Sequence, residues 1–416
     1  MNQIVKKSSL LIFSQLAAKG VSFLYTLFLL RFLDPGMFGL YAVALAYFSL
    51  VSSVADFGIS RYFVKEIARE EKDVSGLVTT VIFLRLFVLC LVSIILGLGF
   101  FFFDHQNLRS LLSILAILAI VPSALSWTVN DAFIATSKAK LYALGGVVVN
   151  LATTVLGVIF VTRGFSVVGV VLALLLGQYI YAFYSLAIYS TQKIGLSKSF
   201  RKEFIKEIIW GALPYGFLSI LGLIYFKIDT LMLAYIKGSF EAGIYSAAYR
   251  FLEAIVFVPT SVSLIVFPMM SKWHNLEPAK VAQLSRKIIR VMGVMGLAVM
   301  ILYMTVLPEV IRLFLPNYLP SIQIIQILAL SIPFMFIHVP LSQALLSSDK
   351  YLKQIIMLSV VTVSFNVLTN LFFIPKYGLL AASWITVLSD VFSLALLLFV
   401  MHKYLLRSAK ISGVND

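Results

Sequence analysis

The chain has 416 residues, of which 61% are hydrophobic and 12% charged. Soluble domains carry roughly 45–50% apolar and about 25% charged residues, so a water-soluble fold is excluded. The 33 Lys+Arg against 18 Asp+Glu give a net charge of +15, which in so apolar a chain reads as membrane topology and not as a nucleic-acid surface. The single cysteine, Cys90, sits in an apolar run, and the histidines at 105, 274, 338 and 402 are scattered. Neither a disulfide framework, a metal site nor a cofactor is expected.

A membrane-spanning helix needs about 20 apolar residues to cross about 30 Å of hydrocarbon. Twelve such runs follow one another at about 8–32, 38–60, 76–103, 108–136, 141–162, 165–190, 209–236, 240–269, 287–307, 320–346, 351–373 and 378–401. Backbone polar groups must satisfy one another inside lipid, so these runs are helices. Lys19 interrupts the first run, which is too long for the apolar part of a signal peptide, so it reads as an uncleaved span. Breaks fall at Pro35-Gly36, between Asp104 and Arg109, at Arg163-Gly164, around Pro316-Asn317 and Pro320, and at Pro375-Lys376-Tyr377-Gly378. The connections are too short to fold into an extramembrane domain.

With the N-terminus in the cytoplasm, 23 Lys+Arg fall on inner segments, 6 on outer segments and 4 within spans. This positive-inside ratio places both termini in the cytoplasm of an inner-membrane protein. The longest inner connection carries Phe200, Phe204, Ile205 and Ile208 at helical spacing with Lys198, Arg201, Lys202 and Lys206 between them. It reads either as an amphipathic helix on the inner leaflet or as a plain positive-inside loop. It divides the chain into an N-terminal six-helix bundle (1–192), a linker (193–208) and a C-terminal six-helix bundle (209–416).

The halves echo each other. Phe38-Gly39-Leu40-Tyr41-Ala42-Val43-Ala44 returns as Ala242-Gly243-Ile244-Tyr245-Ser246-Ala247-Ala248, and Asn150 in the fifth span has a counterpart near Asn366 in the eleventh. Six helices per half is an even number, so the two copies run in the same sense, related by an axis along the membrane normal. The expected fold is an all-α polytopic membrane protein with twelve helices in two pseudo-two-fold bundles around a central cavity.

Nine charged residues fall within the spans: Lys19, Asp56, Arg85, Asp131, Lys227, Asp229, Arg250, Glu253 and Asp390. Facing lipid together they would cost roughly 25 kcal/mol, so most must face one another or water. Asp56 and Asp131 lie near inner ends and Arg85 can snorkel inward; with Arg61 and Asp56, Arg85 is a candidate gate or inner-end charge. Lys19, Lys227 and Arg250 are candidate cavity cations. Asp229, Glu253 and Asp390 are candidate cavity acids or ion-coupling sites. Arg250 and Glu253, three residues apart, share a helical face, whereas Lys227 and Asp229 point about 200° apart. Pro214 with Gly211, Gly216 and Gly222 predicts a bent seventh helix, and Tyr25, Tyr225, Tyr245 and Tyr249 lie on the same helices as the deep charges.

The run Arg31-Phe32-Leu33-Asp34-Pro35-Gly36-Met37-Phe38-Gly39-Leu40-Tyr41 resembles the segment joining the first two helices of Wzx-type O-antigen and exopolysaccharide flippases. So do Asp56-Phe57-Gly58-Ile59-Ser60-Arg61 with Glu66-Ile67-Ala68-Arg69. Asp229-Thr230-Leu231-Met232-Leu233 followed by Gly243 to Arg250 is similar to their seventh and eighth helices, and Ile374-Pro375-Lys376-Tyr377-Gly378 to their penultimate turn. These belong to the polysaccharide branch of the multidrug/oligosaccharidyl-lipid/polysaccharide exporter superfamily. The resemblance implies a flippase, not an enzyme, moving an undecaprenyl-pyrophosphate-linked oligosaccharide from the inner to the outer leaflet by alternating access. It implies a central cavity lined by helices 1, 2, 7 and 8, where the deep charges fall. The implied partners are the lipid-linked oligosaccharide, membrane lipids, a coupling proton or sodium ion and other polysaccharide-assembly membrane proteins. The alternative is a multidrug/cation antiporter of the same superfamily. Twelve spans count against the related lipid II flippases, which usually carry two more.

Overall fold

The structure is a computed structural model that describes residues 18–60, 62–64, 74–104, 107–136, 138–192 and 202–403. Arg61, the linker residues 193–201 and the first half of the first expected span lie outside them. No strand occurs among the described residues, and the α-helices that build the fold are α1 (18–32), α2 (Pro35–Asp56), α3 (Val74–Phe103), α4 (Asn107–Leu118), α5 (Ile120–Ala135), α6 (Ala139–Thr162), α7 (Ser166–Thr191), α8 (Lys202–Ile236), α9 (Ser239–Ile255), α10 (Phe257–Leu276), α11 (Pro278–Phe314), α12 (Ser321–Ala329), α13 (Ile332–Leu346) and α14 (Leu352–Met401); residues 59–60 and 62–64 are helical too. The protein is an all-α, multi-pass membrane protein. Nine stretches of described residues are long and apolar enough to cross a bilayer, and ten if the α12–α13 pair, bent by 51°, is one span.

The boundaries follow local chemistry. Asp34 caps α2: its Oδ1 accepts the Met37 N–H at 3.0 Å, and Pro35 occupies the first turn, where its missing N–H costs nothing. The 50-residue α14 is two helices meeting at Gly378, whose φ of 56° and ψ of −135° only glycine adopts readily. There the Glu241 Oε2 accepts the Leu379 N–H at 3.0 Å, satisfying a donor that the break exposes. A Cβ on residue 378 would lie 2.2 Å from that same oxygen. The expected break at Pro375–Gly378 is therefore present without a loop.

The surface of α3 shows why these helices need lipid. Phe83, Phe87, Leu91, Ile94, Leu98 and Phe102 recur at three- and four-residue steps and are all exposed. A continuous apolar stripe of that length has no place in water and matches a hydrocarbon environment.

The chain forms two compact units, Met1–Lys227 and Ile228–Asp416, so the division falls inside α8. In the first, α6 packs along α7, α2 against α4, and α5 against α7 and α3. Ile208 and Ala212 of α8 join Leu77, Val78, Val81 and Phe133 in one core cluster. In the second unit α13 packs on α10, α11 and α14, and α9 on α12 and α14. The echoing segments are buried in both: Phe38 to Ala44 at the start of α2 and Ala242 to Ala248 at the start of α9. The fourth expected span breaks at Ala119 between α4 and α5, and the tenth at Leu330–Ser331 between α12 and α13.

Candidate functional site

Each unit holds a polar cluster built around carboxylates that the sequence places within helices. In the second unit the centre is Asp229 of α8, 3% exposed. Its Oδ2 accepts from the Tyr245 hydroxyl at 2.9 Å and the Thr386 hydroxyl at 3.1 Å. Its Oδ1 accepts from Asn370 Nδ2 at 2.7 Å. Asn370 also donates to Asn366 Oδ1 at 3.2 Å, and Asn366 Nδ2 to Ser389 Oγ at 3.2 Å. Three helices, α8, α9 and α14, thus converge on one carboxylate with neutral donors. Such a site holds a carboxylate by hydrogen bonds from neutral groups, and its oxygen-rich surroundings suit a small hard cation. The Tyr245 ring stacks on Tyr249 with centroids 5.6 Å apart. All three candidate acids, Asp229, Glu253 and Asp390, lie within electrostatic reach of Tyr249.

In the first unit the centre is Arg85 of α3, 0% exposed, and not a residue reaching for the interface. Its Nη2 bonds to Asp56 Oδ1, to Ser60 Oγ at 2.8 Å and to Asp131 Oδ2 at 3.1 Å, and Nη1 donates to Thr128 Oγ1 at 2.6 Å. The turn after α2, with Phe57 and Gly58 at φ 38° and 75°, swings Ser60 back over the helix end. The Ser60 hydroxyl lies 2.7 Å from Asp56 and 2.6 Å from Asp131 and can donate to either. Burial of Arg85 is tolerated because two carboxylates and two hydroxyls replace its water.

Of the three candidate cations, Lys19 is exposed on α1 and Lys227 is half-buried at the end of the first unit. Arg250 is half-buried on α9 and pairs with Glu253 at 2.8 Å, as their three-residue spacing predicts. Asp390 is buried on α14. Of the inner-end charges, the structure joins Asp56 and Arg85 and adds Asp131. Sequence reasoning missed Thr386 and Asn370 as neutral ligands of Asp229, although Tyr245 stood out as an aromatic on the right helix and Asn366, which accepts from Asn370, as a repeat echo. It also treated Asp104 to Arg109 as a simple break, whereas Arg109 Nε donates to Asp104 Oδ2 at 2.9 Å with both side chains buried.

A family model described as polysaccharide biosynthesis protein matches residues 4–274. No curated protein matches the chain. Among solved structures, the lipid II flippase MurJ in an inward closed conformation superposes with a TM-score of 0.76 at 15% identity, over 94% of this chain and 87% of that one. An inward-facing multidrug resistance MATE family transporter of the MOP superfamily superposes with a TM-score of 0.74 at 17% identity, over 94% and 96%. A MOP superfamily transporter from Pyrococcus furiosus gives a TM-score of 0.63 at 17% identity, over 96% and 95%. At these identities the likeness is one of fold, and the fold is that of membrane transporters.

Proposed function

The chain belongs to the polysaccharide biosynthesis protein family, and we propose that it is a flippase for undecaprenyl-pyrophosphate-linked oligosaccharide, working from the inner to the outer leaflet of the cytoplasmic membrane. One observation carries the reading: a transporter fold whose sequence matches that family over residues 4–274. In this proposal twelve helices form two six-helix bundles, both termini are cytoplasmic, and the head group travels through a polar cavity between alternately open sides.

A sugar-bearing pyrophosphate cannot cross hydrocarbon, since burying an unpaired charge costs on the order of tens of kcal/mol. The polyprenyl tail stays in lipid while the head group moves through protein. Lys19, Lys227 and Arg250 are the proposed contacts for the pyrophosphate, each close pair giving roughly 4 kcal/mol of attraction at an effective dielectric of about 20. Arg250 must exchange Glu253 for the phosphate to do so. That exchange offers a built-in release step, because Glu253 reclaims the guanidinium when the cargo leaves. No covalent step is required by this reading.

The drug-antiporter alternative draws on the hydrogen-bonded carboxylate Asp229, which fits ion coupling in either kind of transporter. Proteoliposomes separate the two. The flippase reading expects a lipid-linked oligosaccharide supplied in one leaflet to become accessible to a lectin on the opposite side. Fluorescent-drug efflux with no movement of the lipid-linked sugar would refute it.

A further inference from the structure

A cavity of 460 Å³ lies wholly within the first unit, between α2, α5, α6 and α7. Its wall includes Phe48 of α2, Trp127, Asn130 and Asp131 of α5, Tyr142 of α6, and Gln178 and Tyr181 of α7. The volume is that of a small-molecule site, and none of the proposed pyrophosphate contacts lines it. Ser60, Ile134 and Tyr142 mark its inner end in the orientation set by the positive charges; Phe48, Trp127 and Val149 lie deeper.

The hydrogen-bonding groups on this wall are of both kinds. Asn130 Nδ2 donates to the Tyr181 hydroxyl. Asn130 is 1% exposed, and its Oδ1 has no hydrogen-bond partner among the described residues. A buried amide oxygen left unpaired costs about 1–3 kcal/mol, so it invites a donor. Gln178 Oε1 accepts from Ser123 Oγ at 2.8 Å, which leaves its Nε2 as a donor. Tyr181 accepts from Asn130 and keeps its own proton to give. Asp131, anchored by Arg85 and Ser60, offers acceptor oxygens within electrostatic reach of Tyr142 and Tyr181.

This pattern discriminates among ligands. A phosphate offers only acceptors and meets no cation among the residues that line this cavity; Arg85, behind Asp131, is already bonded to two carboxylates. A cation requires only acceptors and would leave Gln178 Nε2 idle. A lipid chain would strand every polar group. Vicinal hydroxyls both donate and accept, and the apolar faces of a pyranose ring stack on aromatic rings. We infer that this cavity is a binding site for a neutral sugar ring, with Trp127 and Phe48 as stacking surfaces and Asn130, Gln178 and Asp131 as hydroxyl ligands. The inference deepens the flippase reading and rests on it for the source of the sugar: the site would hold a saccharide of the cargo at the inner end, apart from its pyrophosphate.

The full-length protein, with Trp210, Trp273 and Trp384 changed to Phe, retains Trp127 as its only tryptophan. In nanodiscs it is titrated with a panel of methyl pyranosides of neutral hexoses and N-acetylhexosamines, with sorbitol as the acyclic control. At least one pyranoside should shift Trp127 emission saturably while sorbitol does not. Gln178→Ala and Tyr142→Phe should each weaken that response about tenfold, and Lys227→Ala should leave it unchanged. In proteoliposomes the same two pocket variants should slow flipping of the glycosylated lipid about tenfold, yet spare bare undecaprenyl pyrophosphate. If the unmodified protein flips neither lipid, the flippase reading fails while the fluorescence titration still judges the pocket. A Trp127 signal that no pyranoside moves, or that rhodamine 6G saturates in place of sugars, would overturn the sugar site. Equal slowing of both lipids by the pocket variants would also count against it.

Discussion

Replacing Arg85 by Met removes a guanidinium while keeping a side chain of similar length. Arg85 is 0% exposed and holds Asp56, Ser60, Asp131 and Thr128 from α2, the turn after it, and α5. Two of its bonds go to carboxylates, each worth about 1.5–3 kcal/mol, and two to hydroxyls at about 1 kcal/mol each. The change also leaves two carboxylates that both touch the Ser60 hydroxyl without a counter-charge. Those bonds sum to about 5–8 kcal/mol, and breaking a buried ion pair from one side costs about 3–5 kcal/mol; the two meet at about 5 kcal/mol, which is the loss expected. Arg85→Lys keeps the charge but not the fork, and should cost about half as much. Pairing Arg85→Met with Asp131→Asn should recover at least 1 kcal/mol relative to Arg85→Met alone, because one orphaned charge is removed. Thermal unfolding of the purified protein, followed by size-exclusion fluorescence, measures all three. An Arg85→Met variant within 1 kcal/mol of the parent would refute the assignment of Arg85 as the centre of the first unit's polar core.

Gly216→Ala should destabilise the first unit by about 1–3 kcal/mol, because its Cβ would lie 2.4 Å from the Phe57 carbonyl oxygen; an unchanged melting curve would mean that α8 does not press on the turn after α2. Lys227→Ala and Arg250→Ala should each abolish surface polysaccharide in cells without lowering the amount of protein in the membrane, and normal export by both would remove them from pyrophosphate binding. Asp229→Asn keeps the shape and the Asn370 bond to Oδ1, and its new Nδ2 donates to the Tyr245 and Thr386 hydroxyls, which must turn to accept it, at a cost of about 1 kcal/mol; it should fold yet lose any stimulation of flipping by a proton or sodium gradient, and a variant that unfolds or responds normally to both gradients contradicts the role given to this carboxylate.

The spans were legible because hydrocarbon imposes one demand along some 20 residues, and periodicity hardly matters where a helix is apolar all round. The breaks were legible too, since Pro35, Gly378 and their neighbours act on the backbone locally. The charge list was readable for the same reason: an ionised residue within a span has few tolerable places. What the sequence could not supply was the partner of each charge. Arg250 and Glu253 sit three apart on one helix and could be paired by counting. Arg85 meets Asp131 across 46 positions and Asp229 meets Thr386 across 157, contacts decided by packing. Arg85 looked capable of snorkelling because its stem is long, and only the placement of α2 and α5 around α3 shows that it does not. Asn370 and Thr386, neutral residues among many in apolar helices, carried no signal of their own.

The driving force is the property on which the fold and the family are silent, and the buried charges narrow it. In a cell with a negative interior, moving one negative charge outward is favoured by about 2.3 kcal/mol per 100 mV. A pyrophosphate diester carries about two such charges, so a potential of about 100 mV contributes roughly 5 kcal/mol, more than three powers of ten in the distribution between leaflets. If cations outnumber ionised acids in the empty cavity, as when one of Asp229, Glu253 and Asp390 is protonated, its return is drawn inward by the same field, and such a cycle closes without a dedicated ion. Asp229 supplies the competing route, since a carboxylate with hydrogen-bonding neighbours from two other helices can carry a proton or a sodium ion back. The two routes differ in one respect: the first requires no Asp229 charge. We expect flipping in proteoliposomes, with a potassium–valinomycin potential and no pH or sodium gradient, to accelerate when the side equivalent to the cytoplasm is negative. That acceleration should survive Asp229→Asn. Insensitivity of the parent protein to the potential would eliminate the electrophoretic cycle, and acceleration lost in Asp229→Asn would place the voltage-dependent step at that carboxylate instead of at the cargo.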